Sequence, residues 1–246
     1  IHVHSIEDVL SKCNKEIKFF QIFVDPLKDY TTFDILSVME YIKSNRITIV
    51  VHSSYTINIA KKWHEFDWWV EYIIEEIQIC DKIGAFAIVL HTGNKLNLSE
   101  SEAINNMYTL LLHIHRKTNT SNIKILIETP AGQGTEMLAN IESYCHFMSK
   151  FFDNTNVAIQ NRFGCCIDSC HIFVAGYDIT DKKELSNFFT KIRNTIGLDK
   201  IKLCHLNDAK GKFGSMLDRH ANFGDGNIGK KCILDFVEII NHIELP

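Results

Sequence analysis

No apolar run in the 246 residues approaches 18 in length, so no membrane-spanning helix is expected. The first residues carry no signal-peptide pattern. Prolines number only 3 and no Ser/Gly-rich stretch interrupts the chain, so nothing marks a linker, and residues 1–246 are expected to form one domain. None of the 8 cysteines forms a Cys-x-x-Cys pair. Cys165, Cys166, Cys170 and Cys204 lie in or beside apolar runs, which predicts buried free thiols in a reducing compartment. Positive charge is short as well: 26 Lys+Arg against 30 Asp+Glu give a net −4, which excludes a global basic field, so any phosphate-binding surface must be local. No strand is followed by a Gly-x-Gly-x-x-Gly turn, which argues against an open doubly wound sheet, the runner-up fold.

What the sequence does contain is a repeated grammar. Five short β-branched or apolar runs each stop at a polar residue. Ile47–Val51 stops at His52, Phe86–Leu90 at His91, Ile123–Ile127 at Glu128, Phe163–Ile167 at Asp168, and Ile201–Cys204 at His205. The stops are 39, 37, 40 and 37 residues apart. Such near-continuous runs read as strands buried on both faces. Helical patterns fill the gaps: Trp68–Ile83 before Gly84, Ser99–His115 with a Ser99/Glu102 capping box, Thr135–Phe152, Lys182–Ile196, Lys231–Asn241 and, more weakly, Phe33–Ser44. Lys18–Phe23 is a further strand and Ile1–Val3 the end of another; Ile243 begins an eighth. The expected architecture is α/β, a (β/α)₈ TIM barrel whose eighth strand is truncated. The missing initial Met and the stop at Pro246 suggest a fragment of a longer protein.

A barrel gathers its C-terminal strand ends at one face, where catalytic residues sit. Here those ends are His52, His91, Glu128, Asp168 and His205. His171 follows Asp168 by three, and Asp218 and His220, two apart, share one side of an extended segment. One strand-end histidine alone reads as a packing residue; a regular series of five ligand-type residues does not. A zinc ion takes about four ligands, so eight candidates imply more than one ion. Imidazole mixed with carboxylate favours zinc, with manganese, iron or cobalt as alternatives. His64, His113, His115, His146 and His242 read as surface or helix residues, and His2-Val3-His4 as a pair with metal-competent spacing. Two Gly-rich stretches, Thr129–Thr135 and Gly224–Gly229, read either as turns or as ligand-facing loops whose amides could meet phosphate.

These residues resemble the endonuclease IV family of apurinic/apyrimidinic endonucleases. Val51-His52-Ser53-Ser54-Tyr55, Leu90-His91-Thr92-Gly93, Ile127–Gly134, Cys166–His171 with Ala175–Asp178, and His205–Lys210 through Asp218-Arg219-His220 to Gly229 are similar to its blocks, in its order, over nearly the whole chain. The resemblance implies a TIM barrel holding three Zn²⁺, with Mn²⁺ as an alternative. His52, His91 and Glu128 would hold one ion; Glu128, bridging and catalytic, with Asp168 and His205 a second; His171, Asp218 and His220 the third. The family adds a final Glu just past the point where this sequence stops. The implied reaction is hydrolysis of the DNA phosphodiester 5′ to an abasic site, leaving a 3′-hydroxyl, in base excision repair, with 3′-end cleaning as a further activity. The implied partner is double-stranded DNA with abasic sites, contacted by Lys28, Tyr30, Tyr55, Lys210, Lys212 and Ser215; Lys28 stands where the family commonly has Arg. A soluble intracellular monomer, in cytoplasm or nucleoid, nucleus or virion, is expected. The competing readings are a metal-dependent sugar isomerase or epimerase of the xylose-isomerase-like barrels, which needs fewer ligands, and a barrel that binds damaged DNA without cutting it.

Overall fold

Each of the five β-branched runs forms a short buried strand. The computed structural model describes residues 3, 6–12, 17–28 and 39–241. Two units divide the chain: Ile1–Ile57, Trp63–Leu90 and Tyr108–Ile125 make the first; Asn58–Lys62, His91–Met107 and Leu126–Pro246 make the second.

In the first unit α1 (Ile6–Lys12) precedes β1 (Phe19–Ile22), β2 (Thr48–His52), α2 (Trp68–Lys82), β3 (Ala87–Leu90) and the start of β4 (Lys124–Glu128). β1 pairs in parallel with β2, Ile22 opposite Val51, and β2 with β3, His52 opposite Val89. The Lys124 amide donates to the Phe86 carbonyl at 3.2 Å, which sets β4 beside β3. Val50, Val51, Ile88 and Val89 are fully buried, as parallel strands covered on both faces require. Helix α2 buries Trp69, Ile73, Ile77 and Cys80 at helical spacing, and one charged residue, Glu76, stands in that stripe. Gly84, at φ +67°, ends the helix in the left-handed conformation that glycine adopts without strain.

Helix α3 (Glu100–Lys117) begins in the second unit with the expected capping box: the Glu102 amide donates to Ser99 Oγ and the Ser99 amide to Glu102 Oε2. The second unit continues with the end of β4, α4 (Ile141–Phe152), α5 (Val157–Arg162), β5 (Phe163–Asp168), α6 (Ser169–Val174), α7 (Lys182–Thr195), β6 (Ile201–His205), the two-residue strands β7 (Asp208–Ala209) and β8 (His220–Ala221), and α8 (Lys230–Ile240). β4, β5 and β6 are neighbours in that order, with Asp168 opposite His205. Gly164 lets them pack, because a Cβ there would lie 2.8 Å from Leu126 Cδ2 and from Lys202 Cγ. Phe151 of α4 stacks on Phe163 at 4.1 Å.

Two sequence expectations shift. The helix expected from Thr135 begins at Ile141: residues 132–136 are held in a turn, Leu138 has φ +68°, and Asn140 caps α4 through its side chain. Helices α5 and α6 are too short to show periodicity, and the sequence pattern does not announce them. Of the Phe33–Ser44 pattern, residues 39–44 are helical and 33–38 lie outside the described residues. Ile1, His2, His4, His242 and Ile243 lie outside them too.

Candidate metal centre

In the second unit β4, β5 and β6 each end in a ligand-type side chain, and these converge. β4 delivers Glu128, whose Oε2 lies 3.2 Å from His91 Nε2 and whose Oε1 lies 2.5 Å from His205 Nδ1 and 3.8 Å from His171 Nδ1. β5 delivers Asp168, with Oδ2 3.5 Å from His205 Nδ1 and 3.9 Å from His220 Nε2. Asp168 also caps α6: its Oδ1 accepts the His171 amide at 3.1 Å, which fixes the helix that presents His171. The hairpin of β7 and β8 supplies Asp218 and His220. Asp218 Oδ1 is 3.3 Å from both His171 Nε2 and His220 Nε2. Donors about 2.1 Å from a tetrahedral zinc lie roughly 3.4 Å apart, so these spacings suit one ion. Donor atoms of Glu128, Asp168 and His171, and those of His171, Asp218 and His220, each lie within 4.8 Å of one another.

The electrostatics agree. Burial alone would raise the Glu128 carboxyl, but the imidazoles of His205, His91 and His171 hold it well below the usual carboxylate range. Asp168 and Asp218 are likewise held low, against burial, by neighbouring histidines. Despite burial, the imidazoles of His171 and His220 are raised by these carboxylates, that of His91 by Glu128 and Glu136, and that of His205 by Cys166 together with Glu128 and Asp168. A divalent cation satisfies such a set by replacing protons on nitrogen. One buried atom points to that need: among the described residues His171 Nε2 has no hydrogen bond, and its neighbour is the Asp218 carboxylate at 3.3 Å. His171 Nδ1 faces the Thr129 carbonyl at 2.8 Å, so that nitrogen donates there, and Nε2 is the one turned to the Asp218 carboxylate, where a cation would take the place of its proton.

His52 stands in the first unit at the end of β2. Its Nδ1 faces the Ser53 carbonyl at 2.7 Å, leaving Nε2 as the lone-pair nitrogen of the neutral ring. Lys28 in the turn after β1 and Tyr55 after β2 are exposed, the latter by 75 %. Tyr30 lies outside the described residues. Lys210, Lys212 and Ser215 are exposed between β7 and β8, where the Lys210 amide donates to the Arg219 carbonyl at 2.8 Å. Seven cysteines are free thiols among the described residues.

Several side chains around the centre escape a reading by strand ends. Glu136 Oε1 lies 3.8 Å from His91 Nδ1, while its Oε2 accepts the Gly132 and Gln133 amides at 2.9 and 3.2 Å. The amides of Gly132 and Gln133 are thus occupied within a turn. Asn207 Nδ2 donates to Asp168 Oδ2 at 2.5 Å, and Gln133 Oε1 accepts the Asp218 amide at 3.0 Å. Cys166 and Cys170 place their sulfurs within 4.8 Å of donor atoms of the set. Asp208, fully buried, accepts amides throughout Gly224–Gly229, so that loop too is held by the protein itself.

Fold and site together define a TIM barrel with a cluster of carboxylates and histidines that could hold metal ions. Residues 15–244 match the model of the xylose isomerase-like TIM barrel family. A "probable endonuclease 4" of Nitrosopumilus maritimus is 31 % identical over 241 residues, 94 % of this chain and 84 % of its own length. Another from Staphylococcus carnosus is 35 % identical over 211 residues, 85 % of this chain and 66 % of its own. The crystal structure of endonuclease IV from Thermus thermophilus superposes with a TM-score of 0.77 at 20 % identity, covering 100 % of this chain and 88 % of that one. A D-tagatose 3-epimerase-like protein reaches 0.73 at 21 % identity, covering 99 % and 88 %; at these identities both structural likenesses show the fold alone. The chain belongs to the endonuclease IV family. Membership classes it as a hydrolytic nuclease.

Proposed function

We propose that this chain is a zinc-dependent apurinic/apyrimidinic endonuclease that cuts double-stranded DNA 5′ to an abasic site and leaves a 3′-hydroxyl, with 3′-end cleaning at the same centre. The observation that carries the reading is the triad of His171, Asp218 and His220, with Asp218 Oδ1 3.3 Å from both imidazoles. A sugar isomerase or epimerase has no need of this set beside Glu128 and Asp168. On the family pattern, His52, His91 and Glu128 hold one zinc, Glu128, Asp168 and His205 a second, and His171, Asp218 and His220 a third; Mn²⁺ is the alternative ion. Bound there, the ions would supply Lewis-acid charge for phosphodiester hydrolysis. Glu128 would be the carboxylate common to the first two ligand sets and the catalytic residue. Thr129 fixes the His171 tautomer through its carbonyl, and Asn207 orients Asp168. Lys28, Lys210, Lys212 and Ser215 contact phosphate, and Tyr30 and Tyr55 contact the DNA at the lesion. A missing base lowers the cost of turning the sugar out of the helix toward a recessed centre. The reading takes the chain as one barrel domain acting as an intracellular monomer.

The test is elemental analysis of the purified protein beside nicking of a duplex carrying one abasic site. About three zinc ions per chain with a 3′-hydroxyl product support the proposal. Full metal loading with turnover of ketoses and no nicking overturns it in favour of the sugar reading; binding of the abasic duplex without nicking overturns it in favour of a non-cutting barrel.

A further inference from the structure

Helix α2 breaks its own pattern once. Its buried stripe of Trp69, Ile73, Ile77 and Cys80 calls for an apolar side chain at 76, yet Glu76 is there and is fully buried. A polar residue that violates its local pattern marks a functional constraint. Glu76 Oε2 accepts a hydrogen bond from Ser53 Oγ at 2.5 Å, and among the described residues Glu76 Oε1 has no partner. Burial pushes the acid up to about 8, the Ser53 hydroxyl and Ser54 amide lower it in part, and Asp25 raises it further, so it stands as a neutral acid at neutral pH.

Ser53 is the residue through which this acid reaches His52. Its amide donates to the Val89 carbonyl at 3.0 Å, its hydroxyl to Glu76, and its carbonyl accepts from His52 Nδ1 at 2.7 Å. Three bonds therefore hold one residue, and the last fixes both the ring plane and the tautomer of His52. We infer that Glu76 is a positioning residue that acts through Ser53 to hold His52 as the Nδ1-protonated tautomer, with Nε2 presented as a metal ligand. The ligand role of His52 rests on the function proposed above; the tautomer does not. Partners of this kind around a metal-ligating histidine are worth about 10–100-fold in metal affinity.

The experiment compares wild type with Glu76→Gln, Glu76→Leu and Ser53→Ala. The first readout is the His52 tautomer in metal-free protein, from long-range ¹H–¹⁵N NMR of the imidazole. The second is Zn²⁺ affinity by competition with a chromophoric chelator. Glu76→Gln keeps a neutral acceptor for Ser53, so it retains the tautomer and wild-type affinity. Glu76→Leu and Ser53→Ala cut the chain, so His52 becomes a tautomer mixture and the weakest-bound zinc is lost roughly 10–100-fold more readily. Should Glu76→Leu fail to fold, Ser53→Ala still severs the same link. An unmixed His52 tautomer in Ser53→Ala overturns the inference, as does a Glu76→Gln protein that behaves like Ser53→Ala. A mixed tautomer with unchanged zinc affinity leaves the positioning intact and refutes instead the ligand role of His52.

Discussion

Asp208 offers the sharpest test of how the ligand hairpin is built. Its buried carboxylate accepts five backbone amides: Ala209 at 2.8 Å, Gly224 at 3.2 Å, Gly226 at 3.0 Å, Ile228 at 3.0 Å and Gly229 at 3.2 Å. Gly226 sits so close that a Cβ there would lie 2.4 Å from Asp208 Oδ1. The perturbation is Asp208→Ala. Each charge-assisted bond is worth roughly 1.5–3 kcal/mol, but the five do not add, because a loop released from its acceptor returns its amides to water. The loss is therefore capped by the cost of opening the 224–229 loop, roughly 3–4 kcal/mol. In hydrogen exchange this becomes a fall of roughly 100–1000-fold in protection at amides 224, 226, 228 and 229. Asp225→Ala, at a neighbour outside this set of bonds, is the control and leaves them unchanged. Protection within threefold of wild type in a folded Asp208→Ala protein would refute the account of the loop as held by one carboxylate.

Other outcomes follow from the same structure. Glu76 is an acid whose folded value, about 8, lies above its ordinary 4.5. The folded state keeps a proton that the unfolded chain has released, so this group costs stability as pH rises from about 4.5 through 8, by at most about 5 kcal/mol. Chemical denaturation at pH 5 and pH 8 will show a steeper decline in wild type than in Glu76→Gln; equal slopes sink the argument. Gly93→Ala will lower the melting temperature sharply or prevent folding, because φ is +82° and the new Cβ would meet Asn58 Oδ1 at 2.4 Å and the Ala60 amide at 3.0 Å. Removing the Tyr144 hydroxyl, which donates to the buried Ile127 carbonyl at 2.6 Å, will cost about 1–3 kcal/mol in Tyr144→Phe, measured by urea denaturation. Asp218→Ala will release about one equivalent of zinc, read by elemental analysis, while circular dichroism stays that of wild type.

The strands are legible in the sequence because buried parallel strands are written as continuous apolar runs, and each stop marks where a strand leaves the sheet. That is why His91, Glu128, Asp168 and His205 can be read in order from the chain alone. Asp218 and His220 are legible from their two-residue spacing in an extended segment. What stays hidden depends on contacts distant in sequence. Glu136 and Asn207 serve the centre only because a turn and a strand end bring them back to it, and no period announces that. Glu76 does leave a trace, a lone acid in an apolar stripe, which signals a constraint without naming the partner. For the two Gly-rich stretches the sequence leaves turn and ligand-facing loop open, because the acceptors that take their amides, Glu136 and Asp208, lie three or four residues ahead in one case and sixteen or more behind in the other.

The thiols beside the centre have a consequence of their own. Burial pushes Cys166 up to about 12 and holds Cys170 high as well, so at neutral pH neither offers an appreciable thiolate to an alkylating or oxidising reagent. Both sulfurs are buried, and each lies within 4.8 Å of ligand-type atoms of the cluster. Their chemistry is therefore silent while the centre is closed and becomes audible only when it opens. The protein carries a clock inside its own site: the rate at which these two cysteines are modified counts how often the cluster comes apart, with no label added and no substrate required.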